Sequence, residues 1–349
     1  MKLSLWRREV LWVAWILVFS GLVAQAQGNQ FNTNGNILIS DQFNNRVIEV
    51  NPNNHNVWRF GTGSDKPGPN TIVGVNDAQR IGDVTLMAGT GIPPGGTPGC
   101  PNGCADNRVM LVDSTGTIIW QYGKDGVTGS GPNELNTPVQ NTFLPNDDVM
   151  ITDPGNQRVI EVDLFTNKIV WQFGKTGLAG CGADELNSPN SAELLANGHI
   201  LIADEANNRV IEVNRNKQIV WSYSSCTSAR LSGSAFASRL PNGQTLITDS
   251  NNHCILAVTP AKKIVFDYDT TLPGSCDLAN TCPLPRAVLL ANGNMLISNQ
   301  FENQVIEINP QKKIVFTQGR KNVAGKGFDE LNAPYDAKVI GDYTGLTPP

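Results

Sequence analysis

From Leu186 to Tyr223 the chain alternates apolar and polar positions in short bursts separated by turn residues. Ser191 to Leu195 is a brief apolar run, and Asn197-Gly198 supplies the positive-φ pair that suits a two-residue hairpin. HILIAD alternates as a half-buried strand does, RVIEV alternates again after a polar turn, and QIVWSY follows Asn214 to Lys217. This predicts four short antiparallel strands and no helix. One such meander cannot bury both of its faces, but copies stacked around an axis can, so the unit reads as a propeller blade.

The pattern recurs. The step between second and third strands gives ISDQFNNRVIEV at 39–50, ADNRVMLV at 105–112, ITDPGNQRVIEV at 151–162, IADEANNRVIEV at 202–213, ITDSNNHCILAV at 247–258 and ISNQFENQVIEI at 297–308. An outer-strand aromatic recurs with it at Trp58, Trp120, Trp171, Trp221, Phe266 and Phe316, with intervals of 62, 51, 50, 45 and 50. The long interval marks an insertion at 90–104. Near the N-terminus NGNILISD is a second strand without a first, and LNAPYDAKVIG near the C-terminus is a first strand without a second. The ring is therefore expected to close by pairing Tyr335–Ile340 with Asn36–Ser40, which removes exposed sheet edges. The expected fold is all-β, a six-bladed propeller of four-stranded antiparallel blades in a single domain over 27–349.

The series LNxP, NG, LIxD and NNRVIEV, followed by IVW, resembles the NHL-repeat propellers, with Asp41, Asn45, Arg46, Asp153, Asn156, Arg158, Asp204, Asn208 and Arg209 at the family's turn positions. The resemblance spans 31–342 and implies a fold more narrowly than an activity, since the family includes binding scaffolds, sensor domains and a few lyases. Blades five and six depart from it, with His253 and Gln304 read where Arg stands and Asn299 where Asp stands, so their turns are expected to be more loosely tied. Asp–Arg repetition in most blades points to architecture, because a binding site needs a unique constellation. The loops at 123–138, 174–189 and 319–334 are glycine-rich, but each leads into a strand, so they lack the helix N-terminus of a phosphate cradle and leave Lys124, Lys175 and Arg320 only a faint anion signal.

Residues 1–26 are of another kind. Lys2, Arg7 and Arg8 precede an apolar run from Leu11 to Ala24, and Ala24-Gln25-Ala26 is a small-x-small cleavage site, which reads as a secretory signal peptide. The mature chain is then expected in the periplasm or outside the cell, with no membrane span and as a monomer. A charged content of 16% and a net charge of −5 argue against a nucleic-acid partner. Export makes disulfides the natural reading of the cysteines. Cys100, Cys104, Cys181, Cys226, Cys276 and Cys282 fall in loops on one face, most simply paired 100–104, 181–226 and 276–282, although six cysteines allow fifteen pairings. Cys254 is read at the Val of RVIEV, as a buried strand thiol.

No Gly-x-Ser-x-Gly elbow is present, and His55, His199 and His253 are each placed by the repeat register on a different strand or turn of their blades, away from the pattern of a three-histidine zinc site. Alignment of the first strands places Asp77, Gln140, Ser191, Phe236, Arg286 and Asp336 at one level of the axial channel. Two chemistries suit that ring: calcium held by Asp77 and Asp336 with nearby amides, or a small polar ligand oriented by the carboxylates and Arg286. The expectation is an exported binding or interaction module for a protein or small polar ligand, using the loop face and channel mouth. The alternative is a calcium-dependent hydrolase, lactonase or lyase at the same channel.

Overall fold

The computed structural model describes residues 30–228, 230–269 and 285–342. The apolar-polar alternation becomes strand throughout, and the turns fall where the polar clusters lie. β1 (Ile37–Asp41), β2 (Arg46–Val50) and β3 (Asn56–Phe60) begin the first blade. Blade two is β4 (Val75–Ile81), β5 (Val84–Gly89), β6 (Arg108–Asp113) and β7 (Ile118–Tyr122); blade three is β8 (Asn141–Phe143), β9 (Asp148–Asp153), β10 (Arg158–Asp163) and β11 (Lys168–Phe173). Blade four follows as β12 (Pro189–Leu194), β13 (Ile200–Asp204), β14 (Arg209–Val213) and β15 (Ile219–Tyr223). Blade five is β16 (Ser234–Arg239), β17 (Thr245–Asp249), β18 (Cys254–Val258) and β19 (Ile264–Asp269), and blade six is β20 (Arg286–Leu289), β21 (Met295–Asn299), β22 (Gln304–Ile308) and β23 (Ile314–Gln318). The last strand, β24 (Pro334–Val339), completes blade one by pairing with β1, Ile37 opposite Val339 and Ser40 opposite Asp336. The protein is a six-bladed β-propeller. The ring closes as the two half-blades require.

The core lies between blades. Leu38, Val47 and Phe60 of blade one pack on Val75, Met87 and Met110 of blade two, and Met150 and Phe173 of blade three meet Ile200 and Ile202 of blade four. Each such side chain contributes about 1.5–3 kcal/mol on burial, so the junctions supply most of the driving force.

The repeated polar residues bolt this ring. At the turn between second and third strands, Asp204 accepts bonds from Arg209 Nε at 2.7 Å, Asn207 Nδ2 at 2.8 Å and the backbone N–H of Asn187 at 2.7 Å. Asp41 and Asp153 do the same with Arg46 and Arg158. The next position must take a left-handed conformation, φ 52° at Asn45 and Asn208, which a short amide tolerates best. Its carboxamide oxygen then accepts an N–H of the following blade: Asn45 from Gly74, Asn107 from Thr137, Gln157 from Ser188, Asn208 from Gly233 and Asn303 from Ala333. In blade two the insertion separates these parts. Gly89 ends β5 where Asp stands elsewhere, a Cβ there would collide with the Asp106 carboxylate, and Asp106 arrives from the insertion's far end to bond Arg108 and the Val73 N–H. The outer tryptophans are bolts too, Trp58, Trp120, Trp171 and Trp221 each donating Nε1–H to the neighbouring blade's outer turn.

Two expectations need correction. His253 occupies the left-handed Asn position at φ 54°, and Cys254, paired with Asp249 across β17 and β18, replaces Arg rather than Val. Cys254 is therefore half-buried at the start of its strand, since the Arg position lies at the loop end of the sheet. The turn of blade six is tied by fewer bonds, as its sequence implies: Asn299 Nδ2 donates to Glu302 at 2.7 Å, the amide and carboxylate having exchanged places, and Gln304 at the Arg position donates to the Gly319 carbonyl instead. Lys124, Lys175 and Arg320 offer no anion site, because each is paired within its own loop, with Glu134, Glu185 and Glu330 respectively.

Disulfides join Cys100 to Cys104 and Cys181 to Cys226, with Cα separations of 5.4 and 6.3 Å. The proposed signal peptide and the Cys276–Cys282 pair lie outside the described residues. Among those residues no helix is long and apolar enough to cross a membrane.

Candidate functional site at the channel mouth

The axial channel is lined by the inner strands β24, β4, β8, β12, β16 and β20. The six residues aligned from sequence do share a level, each opposite the penultimate residue of its neighbouring strand: Asp336 faces Ser40, Asp77 faces Ala88, Ser191 faces Ala203, Phe236 faces Thr248 and Arg286 faces Ser298, while Gln140 bonds Thr152. All six are buried.

Four of them meet. Arg286 Nη1 lies 2.7 Å from Asp77 Oδ1 and 2.8 Å from Asp336 Oδ1, and its guanidinium stacks 4.3 Å from the Phe236 ring centroid. A further cation, Lys338, joins Asp77, Asp336 and Arg286 in a charged tetrad, with Nζ 2.5 Å from Asp77 and 2.6 Å from Asp336. Asp77 Oδ2 also accepts the Asn141 backbone N–H at 3.0 Å and its side-chain amide. Burial pushes the Asp77 carboxyl up, but the charges of Lys338 and Arg286 outweigh it and hold it below the usual carboxylate range. Burial pushes Asp336 up, against the same two cations. Two carboxylates and two cations thus form a closed, electrically balanced plug. Calcium at Asp77 and Asp336 would have to displace both cations, so this donor set does not fit a metal.

Gln140 and Ser191 do not join the tetrad. Gln140 Oε1 accepts the Ala192 N–H at 2.8 Å and Ser191 Oγ the Ala237 N–H at 3.1 Å. Gln79 and Glu193, one level further in, accept Phe143 N–H and Arg239 N–H likewise. These short side chains stitch consecutive inner strands, and burial pushes Glu193 up to about 8.

Above the plug the lining changes. A β-bulge in each of β24, β4 and β12 inserts an extra residue, Tyr335, Asn76 and Asn190, and a bulge re-aims its side chain. Here they meet the residue that follows the repeated Asp or Asn of the turn. Gln42 Nε2 donates to Asn76 at 2.7 Å, Gln300 Nε2 to Gln42 at 2.6 Å, and Asn190 Nδ2 to Glu205 at 2.8 Å. Asn190 and Tyr335, from opposite blades, bond across the channel at 2.9 Å. Burial, with the Glu205 charge, pushes the Tyr335 phenol up, so it remains protonated at neutral pH.

Beside this amide network, under the insertion, lies a cleft of about 560 Å³. Its floor carries Gln42, Asn76 and Thr90, and its roof is Ile92 to Pro94 with Asn102 to Ala105, held by the Cys100–Cys104 disulfide. Ile92 of the roof and Cys100 of the staple pack on Val73 and Phe43. None of the lining side chains carries a charge. Sequence reasoning did not find Lys338, Gln42, Gln300, Glu205 or Tyr335. The signal for the turn set was present: Gln42, Pro154, Glu205, Ser250 and Gln300 follow the repeated Asp or Asn at a position that changes from blade to blade.

No protein-family profile matches the chain, and no curated protein does. Solved structures share the fold. A protein of unknown function from Bacteroides caccae is 14% identical with a TM-score of 0.59, covering 87% of this chain and 98% of its own. A catalytically inactive virginiamycin B lyase from Staphylococcus aureus, with quinupristin, is 14% identical with a TM-score of 0.51 over 83% and 85% of the two chains. A streptogramin B lyase structure gives 13% identity and 0.54 over 84% and 80%. At such identity these neighbours establish a shared propeller architecture.

Proposed function

We propose that the protein is an exported binding module that takes an uncharged, hydrogen-bonding ligand, such as a small amide or sugar, in the cleft beside the channel mouth. The observation that carries this reading is the division of polar residues. Those that repeat are consumed in turns and blade junctions, and those at the ring level form the tetrad or the stitches between inner strands. The cleft, in contrast, is roofed by insertion residues that no other blade has, set against Asn107 and Thr137 of a blade junction; its volume lies within the roughly 300–1,000 Å³ of small-molecule sites, and it mixes amides and hydroxyls with proline and aliphatic walls. Its neutrality favours a neutral ligand. Stapling of its roof by a disulfide pre-organises it and suits an oxidising compartment, in keeping with the basic, apolar and small-residue order of the first 26 residues.

The calcium-dependent alternative finds two cations already on its carboxylates. The test is a thermal-shift panel of neutral amides and sugars on the purified protein, repeated on Asn102→Trp, which places an indole over the cleft without touching its floor. A compound that raises the melting temperature of the wild type and not of Asn102→Trp is expected. Equal shifts in both proteins, or no shift from any compound, contradict the reading.

A further inference from the structure

Three blade junctions share a latch at the end of the ring opposite the mouth. A Glu of the third strand pairs with an Arg of the next blade, which lies over the outer-strand Trp. Glu49 and Arg80 are 2.8 Å apart with Arg80 4.6 Å from the Trp58 centroid, and Glu212 and Arg239 are 2.9 Å apart with Arg239 5.4 Å from Trp221. Glu161 pairs with Arg215, which lies 5.6 Å from Trp171.

Between blades five and six all three members are replaced. Ala257 stands for Glu and Phe266 for Trp. Leu289, third after Arg286 as Arg80 is third after Asp77 and Arg239 third after Phe236, stands for Arg. Each change removes charge or volume, and what is left is an apolar cavity of about 250 Å³ walled by Leu246, Ala257, Phe266, Leu289, Met295 and Ile308. Its rim carries the carboxamides of Asn242, Gln244 and Asn309. The Asn242 carboxamide oxygen accepts the Gln244 N–H at 3.0 Å, and that of Asn309 accepts Gln311 and Lys313 N–H at 3.0 Å, so these two side chains present N–H donors to a ligand. Beside the cavity Lys312 adds an ammonium, 5.8 Å from the Phe266 centroid, that donates one bond to the Asp267 carbonyl oxygen at 2.9 Å and keeps two N–H groups for a ligand.

We infer that this junction binds a straight-chain aliphatic carboxylate, its tail between the blades and its head against Asn242, Asn309 and Lys312. The site lies on the other end of the molecule from the cleft and does not depend on it. The experiment is titration calorimetry of the intact protein with hexanoate, octanoate and decanoate. Binding is expected at one per chain and about fourfold tighter for each added methylene. In Ala257→Leu, which fills the cavity, affinity should fall at least tenfold while the far-ultraviolet spectrum is unchanged. The double variant Ala257→Glu/Leu289→Arg, which restores the latch of the other junctions, should lose binding in the same way and serves if the first does not fold. Absence of saturable binding, indifference to chain length, or binding that survives both variants overturns the inference.

Discussion

Asp77 accepts from four donors, Arg286 and Lys338 on one oxygen and the backbone and side chain of Asn141 on the other. Removing its charge leaves two buried cations facing one carboxylate, so Asp77→Asn should destabilise the fold by about 3–5 kcal/mol in denaturant unfolding. Adding Lys338→Met restores the balance and should recover part of that loss; strictly additive losses would refute the tetrad. Glu193 carries a prediction about pH. Its folded value is pushed up to about 8 from 4.5 by burial, so the folded state holds a proton that the unfolded state releases. The stability this gives is complete below pH 4.5 and is lost as pH rises through 8. Melting temperature should fall across that window, and Glu193→Gln should flatten the decline; an unchanged slope would mean Glu193 titrates normally. Register on the inner strands was enough to place Asp77, Arg286, Phe236 and Asp336 at one level. It did not say who touches whom, because contact depends on reach across the channel. Long Arg286 and Lys338 side chains span to other blades, whereas Gln140 and Ser191 end at the next strand's N–H.

The strands were legible wherever a period-two run ended in a turn pair, and so was the insertion, since it breaks an otherwise regular spacing. Misplacement of Cys254 shows the limit of such reading: Asn251, Asn252 and His253 can be slid by one against Ala206, Asn207 and Asn208, and only the left-handed φ of His253 fixes the frame. The bulges that aim Tyr335, Asn76 and Asn190 were hidden for a similar reason, as one extra residue leaves the apolar pattern intact. Disulfides act at this scale as loop constraints. Their sequence separations of 45 and 4 lead, on loop entropy alone, to losses of about 4 kcal/mol for Cys181→Ser/Cys226→Ser and about 2 kcal/mol for Cys100→Ser/Cys104→Ser. The smaller loss should nevertheless be the one that abolishes ligand shifts in the neutral-compound panel, because that bridge holds the cleft roof. Retained shifts in Cys100→Ser/Cys104→Ser would separate the insertion from binding.

For the whole molecule, closure is what makes the rest possible. β24 carries Asp336 and Lys338 of the plug and Tyr335 of the mouth, and it covers the edge of β1. A chain ending at Asn332 should therefore fail to melt cooperatively, while a circular permutant opened in the loop at 174–189 should keep the ring; cooperative melting of the truncated chain would contradict closure through β24. What repeats, together with the channel plug, serves as scaffold and leaves the mouth cleft for the ligand. Asp77 and Asp336 serve cations of the chain itself. Thermal melting of EDTA-treated protein across a calcium titration tests this directly. The melting temperature should be the same at every calcium concentration. A saturable rise, lost in Asp77→Asn, would contradict it and return the channel to metal chemistry.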